Sequence, residues 1–163
     1  MQTVYLLLGS NVGDRMDYLK KASISIESKI GKIVKKSQVY ETEPWGEKEQ
    51  DDFLNIVLEI QTKLNPTTTL EKIKEIESLL EREETYKWGP REIDIDILFF
   101  GDEMISEVNL TIPHPFIHER KFTLVPLSEI APDLYHPFMG TTVVELLLEC
   151  EDMSDVKPFK NLN

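Results

Sequence analysis

Residues 91–101 read R-E-I-D-I-D-I-L-F-F-G, an apolar run interrupted at two alternate positions by aspartates. The β-branched and aromatic residues at 93–100 predict a buried strand that Gly101 ends. Because alternate side chains of a strand share a face, Asp94 and Asp96 are expected on one side, with Cα atoms about 6.7 Å apart. The same alternation predicts two sets, with Leu98 and Phe100 beside the aspartates and Ile93, Ile95, Ile97 and Phe99 on the opposite face.

Outward from this strand, the chain alternates between strand and helix patterns. Residues 4–8 predict a buried strand ended by Gly9, and residues 33–40 and 53–62 predict two more strands. Two helices are expected to begin at the cap Asp14 and at residues 66–69. Their apolar stripes are Leu19, Ala22, Ile26 and Ile30 in the first helix, and Leu70, Ile73, Ile76 and Leu80 in the second.

The order of these elements, β-α-β-β-α-β, predicts an α+β protein with a ferredoxin-like core and an antiparallel sheet. The last third is rich in proline and is expected to be irregular, apart from a final amphipathic helix over residues 142–149. Extra C-terminal helices would cover the second face of the sheet and give a three-layer α/β/α arrangement.

Length and charge limit the kind of protein and its partners. The 163 residues suit one domain spanning residues 1–163. With 18 Lys and Arg against 30 Asp and Glu, the net charge of −12 disfavours binding to nucleic acid. The single Cys150 indicates a reducing compartment, and the first apolar run, which stops at Gly9, is too short for a signal or a membrane span. We expect a cytoplasmic monomer without membrane partners.

The aspartate pair indicates a cation site. Two carboxylates about 6 Å apart repel by roughly 3 kcal/mol at an effective dielectric constant near 20. An arginine, a shared proton or a hard cation would offset this repulsion, and Mg²⁺ typically takes one or two carboxylates besides water and phosphate oxygens. The alternative is a half-exposed strand whose aspartates face water.

Two charged residues add to this pattern. Arg91 follows the turn Trp88-Gly89-Pro90, and its planar guanidinium suits phosphate, although a salt bridge to Asp94 or Glu92 is the alternative. Glu77 lies on the apolar stripe of the second helix, either as an edge residue or as a hydrogen-bond acceptor in a cleft.

An aromatic ring and an amide lie two apart in the predicted third strand, at Phe53 and Asn55. Their shared face suits a flat heterocycle, which needs stacking and directed hydrogen bonds, and ordinary core packing is the alternative. His114 lies between two prolines and cannot be helical, so His114 and His118 lack the helical i, i+4 geometry of a metal-binding pair. The chain contains neither a G-x-x-x-x-G-K-[ST] loop nor a G-x-G-x-x-G fingerprint.

Taken together, these residues resemble the hydroxymethyl-dihydropterin pyrophosphokinase (2-amino-4-hydroxy-6-hydroxymethyldihydropteridine pyrophosphokinase) family of folate synthesis. The resemblance runs from about residue 4 to about residue 137. It is carried by the stretches L-L-L-G-S-N-V-G-D-R, Y-E-T-E-P-W-G, D-D-F-L-N, I-E-S-L-L-E-R, W-G-P-R-E-I-D-I-D-I-L-F-F-G, L-T-I-P-H-P and L-V-P-L-S-E-I-A-P.

The resemblance implies transfer of the terminal pyrophosphoryl unit of ATP to the hydroxymethyl oxygen of a reduced pterin, with release of AMP. It implies that Asp94 and Asp96 bind two Mg²⁺ ions and that Arg82 and Arg91 act in catalysis. The family's ATP contacts fall on Glu77, Trp88, Arg91, Ile97, Thr111, His114 and Arg120. The pterin contacts fall on Thr42, Trp45, Phe53, Asn55 and Phe122, with the two phenylalanines bracketing the ring.

The chain also departs from the family pattern. Glu84 stands where the family's mobile loop often has a second arginine, and Phe53 stands where tyrosine is common. Three further departures are Glu43, Asn109 and Pro115. Two other functions remain open from the residues, namely a metal-dependent phosphohydrolase that uses the same aspartates and a non-catalytic ligand-binding module.

Overall fold

The computed structural model describes residues 1–44, 50–81 and 92–160. The strands are β1 Gln2–Ser10, β2 Gly31–Lys36, β3 Tyr40–Thr42, β4 Phe53–Thr62, β5 Asp94–Phe100, β6 Ile105–Glu107, β7 Leu110–Ile112, β8 Tyr135–His136, β9 Thr141–Thr142 and β10 Val156–Pro158. The helices are α1 Arg15–Lys29, α2 Pro66–Leu80, α3 Lys121–Ile130 and α4 Val143–Glu149, with a 3-10 turn at Ile117–Glu119.

The main sheet confirms the predicted ferredoxin-like core. Its strand order within the described residues is β10-β3-β4-β1-β5, and β2 also pairs with β4. Each of these pairings is antiparallel. The long central strand β1 is therefore flanked by β4 and β5, and β5 lies at one end of the sheet.

The two helices of the core begin where the sequence predicts. The Asp14 side chain accepts a hydrogen bond from the Asp17 N–H at the start of α1. In α2, the Asn65 side chain accepts from the Thr68 N–H, and Pro66 occupies the first turn, where its missing N–H costs no hydrogen bond.

The sheet separates two apolar cores, as the three-layer prediction requires. The first contains Leu6 and Leu8 of β1 and lies under α1 and α2, whose buried residues include Ile26 and Ile73. The second contains Leu7 of β1 and lies under α3 and α4. The helices also contribute Leu19, Ala22 and Ile76 to the first core. They contribute Leu124, Leu127, Val143 and Leu146 to the second core. None of the helices in the described part of the chain is long and apolar enough to cross a membrane.

The expectation of an irregular segment between the last core strand and the final helix is wrong at α3. Pro126 lies inside this helix, where it lacks the N–H that would reach the carbonyl of Phe122. The helix forms because Leu124, Pro126 and Leu127 are buried against the sheet, which outweighs the lost hydrogen bond. The predicted final helix is confirmed as α4.

The strand predicted over residues 33–40 is interrupted. Strand β2 ends at Lys36, and β3 begins at Tyr40. Between them the Ser37 side chain takes part in the pairing, because its hydroxyl accepts a hydrogen bond from the Val57 N–H and donates to the Gln38 carbonyl. Both short strands still pair with β4.

A bulge in β5 changes the predicted alternation. Tyr5 pairs with Phe99 and Leu6 pairs with Ile97, so Leu98 is an extra residue on β5. One extra residue reverses the side-chain alternation beyond it. Phe99 therefore lies in the second core and Phe100 in the first, opposite to the prediction, whereas the residues at positions 94–98 face as predicted.

Candidate active site

Asp94 and Asp96 lie on the face of β5 that is turned towards α3 and α4. They pair with Gly9 and Leu7 of β1, and Leu7 belongs to the second core. Both aspartates are half-buried. Burial, together with the negative charges of Asp94 and Glu77, raises the pKa of Asp96 well above its ordinary value. The pair is therefore a place where a positive charge would be stabilised.

Arg120 supplies a positive charge to this face from the start of α3. Its side chain is buried, and its guanidinium carbon lies 4.9 Å from the ring centroid of Phe116 and 5.5 Å from that of Phe122. Burial lowers the pKa of Arg120, whereas Asp96 and Asp94 raise it. The two rings hold the guanidinium plane by cation–π contact, so Arg120 is a fixed charge near the aspartates.

Glu77 joins α2 to the outer edge of β5. Its buried carboxylate accepts a hydrogen bond of 2.9 Å from the Ile95 N–H and lies 3.3 Å from the Lys74 ammonium. Burial raises the pKa of Glu77 to about 7, a shift that Asp94 increases and that the Ile95 N–H and Lys74 oppose. The sequence left Glu77 either as an edge residue or as a hydrogen-bond acceptor, and the structure supports the hydrogen-bond acceptor.

His114 lies beside the same edge. Its backbone N–H donates to the Leu98 carbonyl, and its Nδ1 accepts from the Phe116 N–H at 3.1 Å. Burial and the charge of Arg120 lower the pKa of His114 to about 4. The imidazole is therefore neutral at pH 7 with its proton on Nε2, which makes Nε2 a hydrogen-bond donor.

The other two expected nucleotide contacts in the described residues differ in exposure. Thr111 is exposed on β7, in register with Ser106 of β6. The Ile97 side chain is buried in the first core, so a contact between Ile97 and a nucleotide would come from its main chain. Both contacts stay predictions.

The expected pterin residues form a second group on the same face of the sheet. Asn55 is buried, and its Nδ2 donates a hydrogen bond of 3.0 Å to the Thr42 hydroxyl. Asn55 is directly opposite Gly9 on β1. A Cβ added to Gly9 would lie 2.8 Å from the Asn55 Oδ1 and 3.5 Å from the Phe53 ring. The absence of a side chain at Gly9 therefore makes room for the Asn55 amide.

One row across three strands joins the two groups. Gly9 pairs with Asn55 on one side and with Asp94 on the other. Because neighbouring strands lie about 4.8 Å apart, the Cα atoms of Asn55 and Asp94 are about 10 Å apart across Gly9. Phe122, on α3, packs against the second core on the same side of the sheet. The amide, the aspartates and Arg120 thus line one surface.

The donor set fits Mg²⁺ better than a metal that needs a closed protein cage. Within residues 1–44, 50–81 and 92–160, no group of three or more His, Cys, Asp or Glu side chains is arranged to hold a metal ion. Asp94 raises the pKa of Asp96, so the two carboxylates repel each other. A cation held by these two carboxylates would take its other ligands from water and phosphate, which is the usual arrangement for Mg²⁺.

Some of the expected site residues lie outside the described residues. These are Trp45, Arg82, Trp88 and Arg91. Their expected contacts remain predictions.

Three residues that shape this surface were not predicted from the sequence, namely Gly9, Tyr40 and Glu129. Gly9 was expected to end a strand, yet β1 continues through Ser10, and only the strand register shows that Gly9 separates Asn55 from Asp94. Tyr40 donates a hydrogen bond of 2.6 Å to Glu129 on α3. That contact spans 89 residues along the chain and has no local sequence signal.

Comparison with solved structures agrees with this fold. A chain described as HPPK-DHPS in complex with substrates superimposes with a TM-score of 0.75 at 16% identity, covering 91% of this chain and 43% of that chain. Wild-type HPPK-DHPS of Plasmodium falciparum gives a TM-score of 0.73 at 21% identity, with 91% and 43% coverage. This chain thus spans under half of those longer chains. The class of protein is a ferredoxin-like α+β domain.

Sequence comparison gives the family. The profile of the 7,8-dihydro-6-hydroxymethylpterin-pyrophosphokinase family matches residues 5–132. An Aquifex aeolicus protein named 2-amino-4-hydroxy-6-hydroxymethyldihydropteridine pyrophosphokinase is 47% identical over 159 residues, which are 98% of this chain and 96% of that protein. A Methylorubrum extorquens protein of the same name is 43% identical over 152 residues, 93% and 95% of the two chains.

The chain therefore belongs to the 7,8-dihydro-6-hydroxymethylpterin-pyrophosphokinase family. It is an ATP-dependent enzyme that transfers a pyrophosphoryl group to hydroxymethyl-dihydropterin in folate biosynthesis, as the resemblance in the sequence predicted.

Proposed function

We propose that this reaction takes place on the surface between the Asn55–Gly9–Asp94 row and the start of α3, with Asp94 and Asp96 holding two Mg²⁺ ions. The observation that carries the proposal is the row itself. It sets an amide suited to a heterocycle about 10 Å from a carboxylate pair on the same face, which leaves room for a bicyclic ring and its hydroxymethyl arm.

In this proposal the pterin ring lies against Phe53 and Phe122, and the Asn55 amide hydrogen-bonds the ring edge. Thr42 orients that amide, because its hydroxyl accepts one of the two Nδ2 hydrogens. Phe53 is half-buried, so part of its ring remains available for stacking. We expect Trp45 to contribute a further contact to the ring.

On the nucleotide side, Arg120 and the neutral His114 donate to phosphate oxygens. Arg120 is suited to this because two aromatic rings fix its guanidinium beside the aspartates. Glu77, Thr111, Ile97 and Trp88 would contact the remainder of ATP, and Arg82 and Arg91 would approach the transferred group. Bound Mg²⁺ supplies charge neutralisation and Lewis-acid polarisation at the phosphates.

Positioning and neutralisation supply most of the catalysis of phosphoryl transfer. The proposed task of these side chains is therefore to hold the acceptor oxygen and the β-phosphorus in line and to exclude water from competing for the phosphorus. We further propose that residues 1–163 form one domain that acts as a monomer in the cytoplasm. The acidic net charge agrees with the expectation of no nucleic-acid partner.

The test measures AMP release from ATP and Mg²⁺ with and without hydroxymethyl-dihydropterin. We expect AMP only when the pterin is present, and a pterin diphosphate in equal amount. Pterin-independent release of phosphate or AMP would instead indicate a phosphohydrolase. Binding of either substrate by calorimetry, without any product, would indicate a non-catalytic module.

A substitution in the aspartate pair tests the proposed metal site. Asp96→Asn should lower kcat by about two orders of magnitude or more, because a carboxylate that neutralises the transition state is lost. The melting temperature without Mg²⁺ should not fall, since the change also removes the repulsion from Asp94. Wild-type turnover in the variant would contradict the assignment.

A further inference from the structure

The C-terminal segment after α4 reaches back to the beginning of α3. Asp152 is half-buried, and its Oδ2 accepts a hydrogen bond of 3.0 Å from the Lys121 N–H, the first of that helix. Arg120, the residue that flanks the helix, makes no side-chain hydrogen bond to cap it. The acceptor for the helix N-terminus therefore comes from 31 residues further along the chain.

The same carboxylate turns the chain towards the sheet. Asp152 Oδ1 accepts hydrogen bonds from the N–H and the hydroxyl of Ser154. Partial burial raises the pKa of Asp152, but its hydrogen bonds with Ser154 and Lys121 outweigh this, and the pKa lies below the ordinary value. Asp152 is thus a charged acceptor for two parts of the chain at neutral pH, and such hydrogen bonds are stronger than neutral ones.

Beyond the turn, the segment pairs with the edge of the sheet. Strand β10 lies antiparallel to β3, with Val156 in register with Thr42. The Phe159 N–H then donates to the Val39 carbonyl at 2.8 Å. We name residues 152–159 the C-terminal strap, because they run from the first turn of α3 to the strand that carries Thr42.

The end of the strap also meets the residues on either side of the loop that follows β3. The Phe159 ring lies 5.6 Å from the Arg15 guanidinium carbon. Arg15 forms a 2.7 Å ion pair with Glu41 of β3 and donates to the Asp52 carbonyl at 3.1 Å. The strap therefore contacts β3 along one edge and, through Arg15, the chain just before β4.

The two ends of the strap coincide with the two walls of the proposed pterin slot. The helix wall consists of Arg120 and Phe122, which directly flank the Lys121 N–H held by Asp152. The strand wall consists of Thr42 and the Asn55 amide that it orients. Strand β3 is only three residues long, so β10 supplies a substantial part of its pairing.

We propose that Asp152 is a positioning residue for the pyrophosphokinase reaction, which acts through the C-terminal strap to set the spacing between the helix wall and the strand wall of the pterin slot. This inference rests on the proposed function of the surface. It assigns a role to a segment that lies beyond residues 5–132, the part of the chain that the family profile matches.

Asp155 offers a matched control within the strap. It is the same residue type three positions away, and its carboxylate lies 3.1 Å from the Lys157 ammonium on the exposed surface. Asp155→Ala therefore removes the same charge from the same segment without touching the hydrogen bonds to Lys121 and Ser154. Asp152→Asn keeps one carbonyl oxygen as an acceptor and should give an intermediate result.

The kinetic experiment compares these variants with the wild type at a temperature well below the melting temperature of the least stable variant. Asp152→Ala should raise the KM for hydroxymethyl-dihydropterin by roughly tenfold, because small misplacements of a binding wall are costly. Asp152→Asn should raise it less, and Asp155→Ala should leave it unchanged. A purely structural cap would lower the melting temperature of Asp152→Ala and leave this KM at the wild-type value, which would overturn the inference.

Amide hydrogen exchange tests the strap without reference to activity. In Asp152→Ala the amides of Lys121 and Phe159 should both exchange faster than in the wild type, and in Asp155→Ala neither should. Faster exchange at Lys121 alone would overturn the coupling between the helix and the strand. A wild-type protein without pterin-dependent AMP release would overturn the proposed function instead, and this exchange result would still decide whether the strap joins the two walls.

Discussion

At the scale of single residues, Gly9 affects the candidate site through the side chain that it lacks. It lies between the Asn55 amide and Asp94, and a Cβ at this position would meet the Asn55 Oδ1 at 2.8 Å. The atom that meets it is the far end of a side chain, so the amide would move and the backbone would stay. Space at one residue thus decides where a hydrogen-bonding group of another residue lies.

We therefore predict that Gly9→Ala raises the KM for the pterin by about tenfold and lowers the melting temperature by roughly 2–4 °C, because the buried hydrogen bond between Asn55 and Thr42 is weakened. The reason is that the displaced amide loses its alignment with both Thr42 and the substrate, at about 1.4 kcal/mol for each factor of ten. Steady-state kinetics and a thermal melt measure the two quantities. An unchanged KM would mean that the Asn55 amide does not contact the ring.

The double variant separates this explanation from a general disturbance of β1. If Gly9→Ala acts only by displacing the amide, it should have almost no further effect on the KM in an Asn55→Ala background. Additive effects would show that Gly9→Ala acts through another contact.

His114 provides a prediction on pH. Its pKa is lowered from 6.5 to about 4, chiefly by burial, so between these values the unfolded chain binds a proton that the folded chain does not. His114 thus makes the protein less stable as the pH falls from 6.5 to about 4, and its contribution is constant below that.

We predict that His114→Asn removes this dependence, because the Asn side chain does not titrate. Asn is a suitable replacement because its amide oxygen can still accept the hydrogen bond from the Phe116 N–H. The free energy of unfolding of the wild type should fall relative to the variant by on the order of 1–3 kcal/mol between pH 6.5 and 4. Urea denaturation at several pH values measures this difference, and titration of the carboxylates cancels in it. Parallel pH profiles would contradict the prediction.

At the scale of elements, the contact between α2 and the edge of β5 depends on one side chain. Glu77 satisfies the Ile95 N–H on the side of β5 where no other strand of residues 1–44, 50–81 and 92–160 pairs with it. We predict that Glu77→Leu is less stable than Glu77→Gln by about 1–3 kcal/mol, the cost of a buried N–H without an acceptor.

Glu77→Gln is the proper reference for this measurement. Because burial raises the pKa of Glu77 to about 7, the wild-type side chain is partly neutral at pH 7, and Gln keeps an acceptor oxygen in a neutral group. Chemical denaturation of the two variants at pH 7 in the absence of metal decides the question. Equal stability would mean that water or another group satisfies the Ile95 N–H.

The elements that the sequence predicted are those with strong local patterns. The caps Asp14 and Asn65 lie beside regular apolar stripes, and both helices of the core begin where expected. The bulge at Leu98 could not be predicted, because it depends on the register between β1 and β5. Helix α3 was missed because Pro126 disfavours a helix locally, whereas the burial that stabilises the helix depends on the folded sheet.

The candidate site likewise has one part that the local sequence predicts and another part that depends on the folded structure. The D-x-D spacing was enough to place Asp94 and Asp96 on one face, since a strand repeats every two residues. The alignment of Asn55 and Asp94 on either side of Gly9, and the position of Arg120 near the aspartates, depend on the pairing of β1, β4 and β5 and on the packing of α3 against the sheet. These residues lie far apart in the sequence, and no local spacing indicates that the fold brings them to one surface.

At the scale of the whole molecule, the net charge of −12 opposes the binding of an anionic nucleotide. On the described part of the candidate surface, Arg120 is the buried cation that faces two aspartates. If ATP binds at the proposed surface, we expect bound cations to offset the remaining negative charge there. Nucleotide binding should in consequence depend steeply on Mg²⁺, and the metal should stabilise the fold even without nucleotide.

We predict that Mg²⁺ alone raises the melting temperature slightly and that Mg²⁺ with ATP raises it by roughly 5–10 °C. A ligand at 100 times its Kd adds about 2.7 kcal/mol to the free energy of unfolding, and each kcal/mol shifts the melting temperature of a domain of this size by about 2–4 °C. Thermal melts in chelator, in Mg²⁺, and in Mg²⁺ with ATP, at matched ionic strength, measure these shifts. ATP in chelator should give almost no shift, and Asp96→Asn should abolish the response to Mg²⁺ alone. A full response in that variant would place the metal away from the aspartate pair.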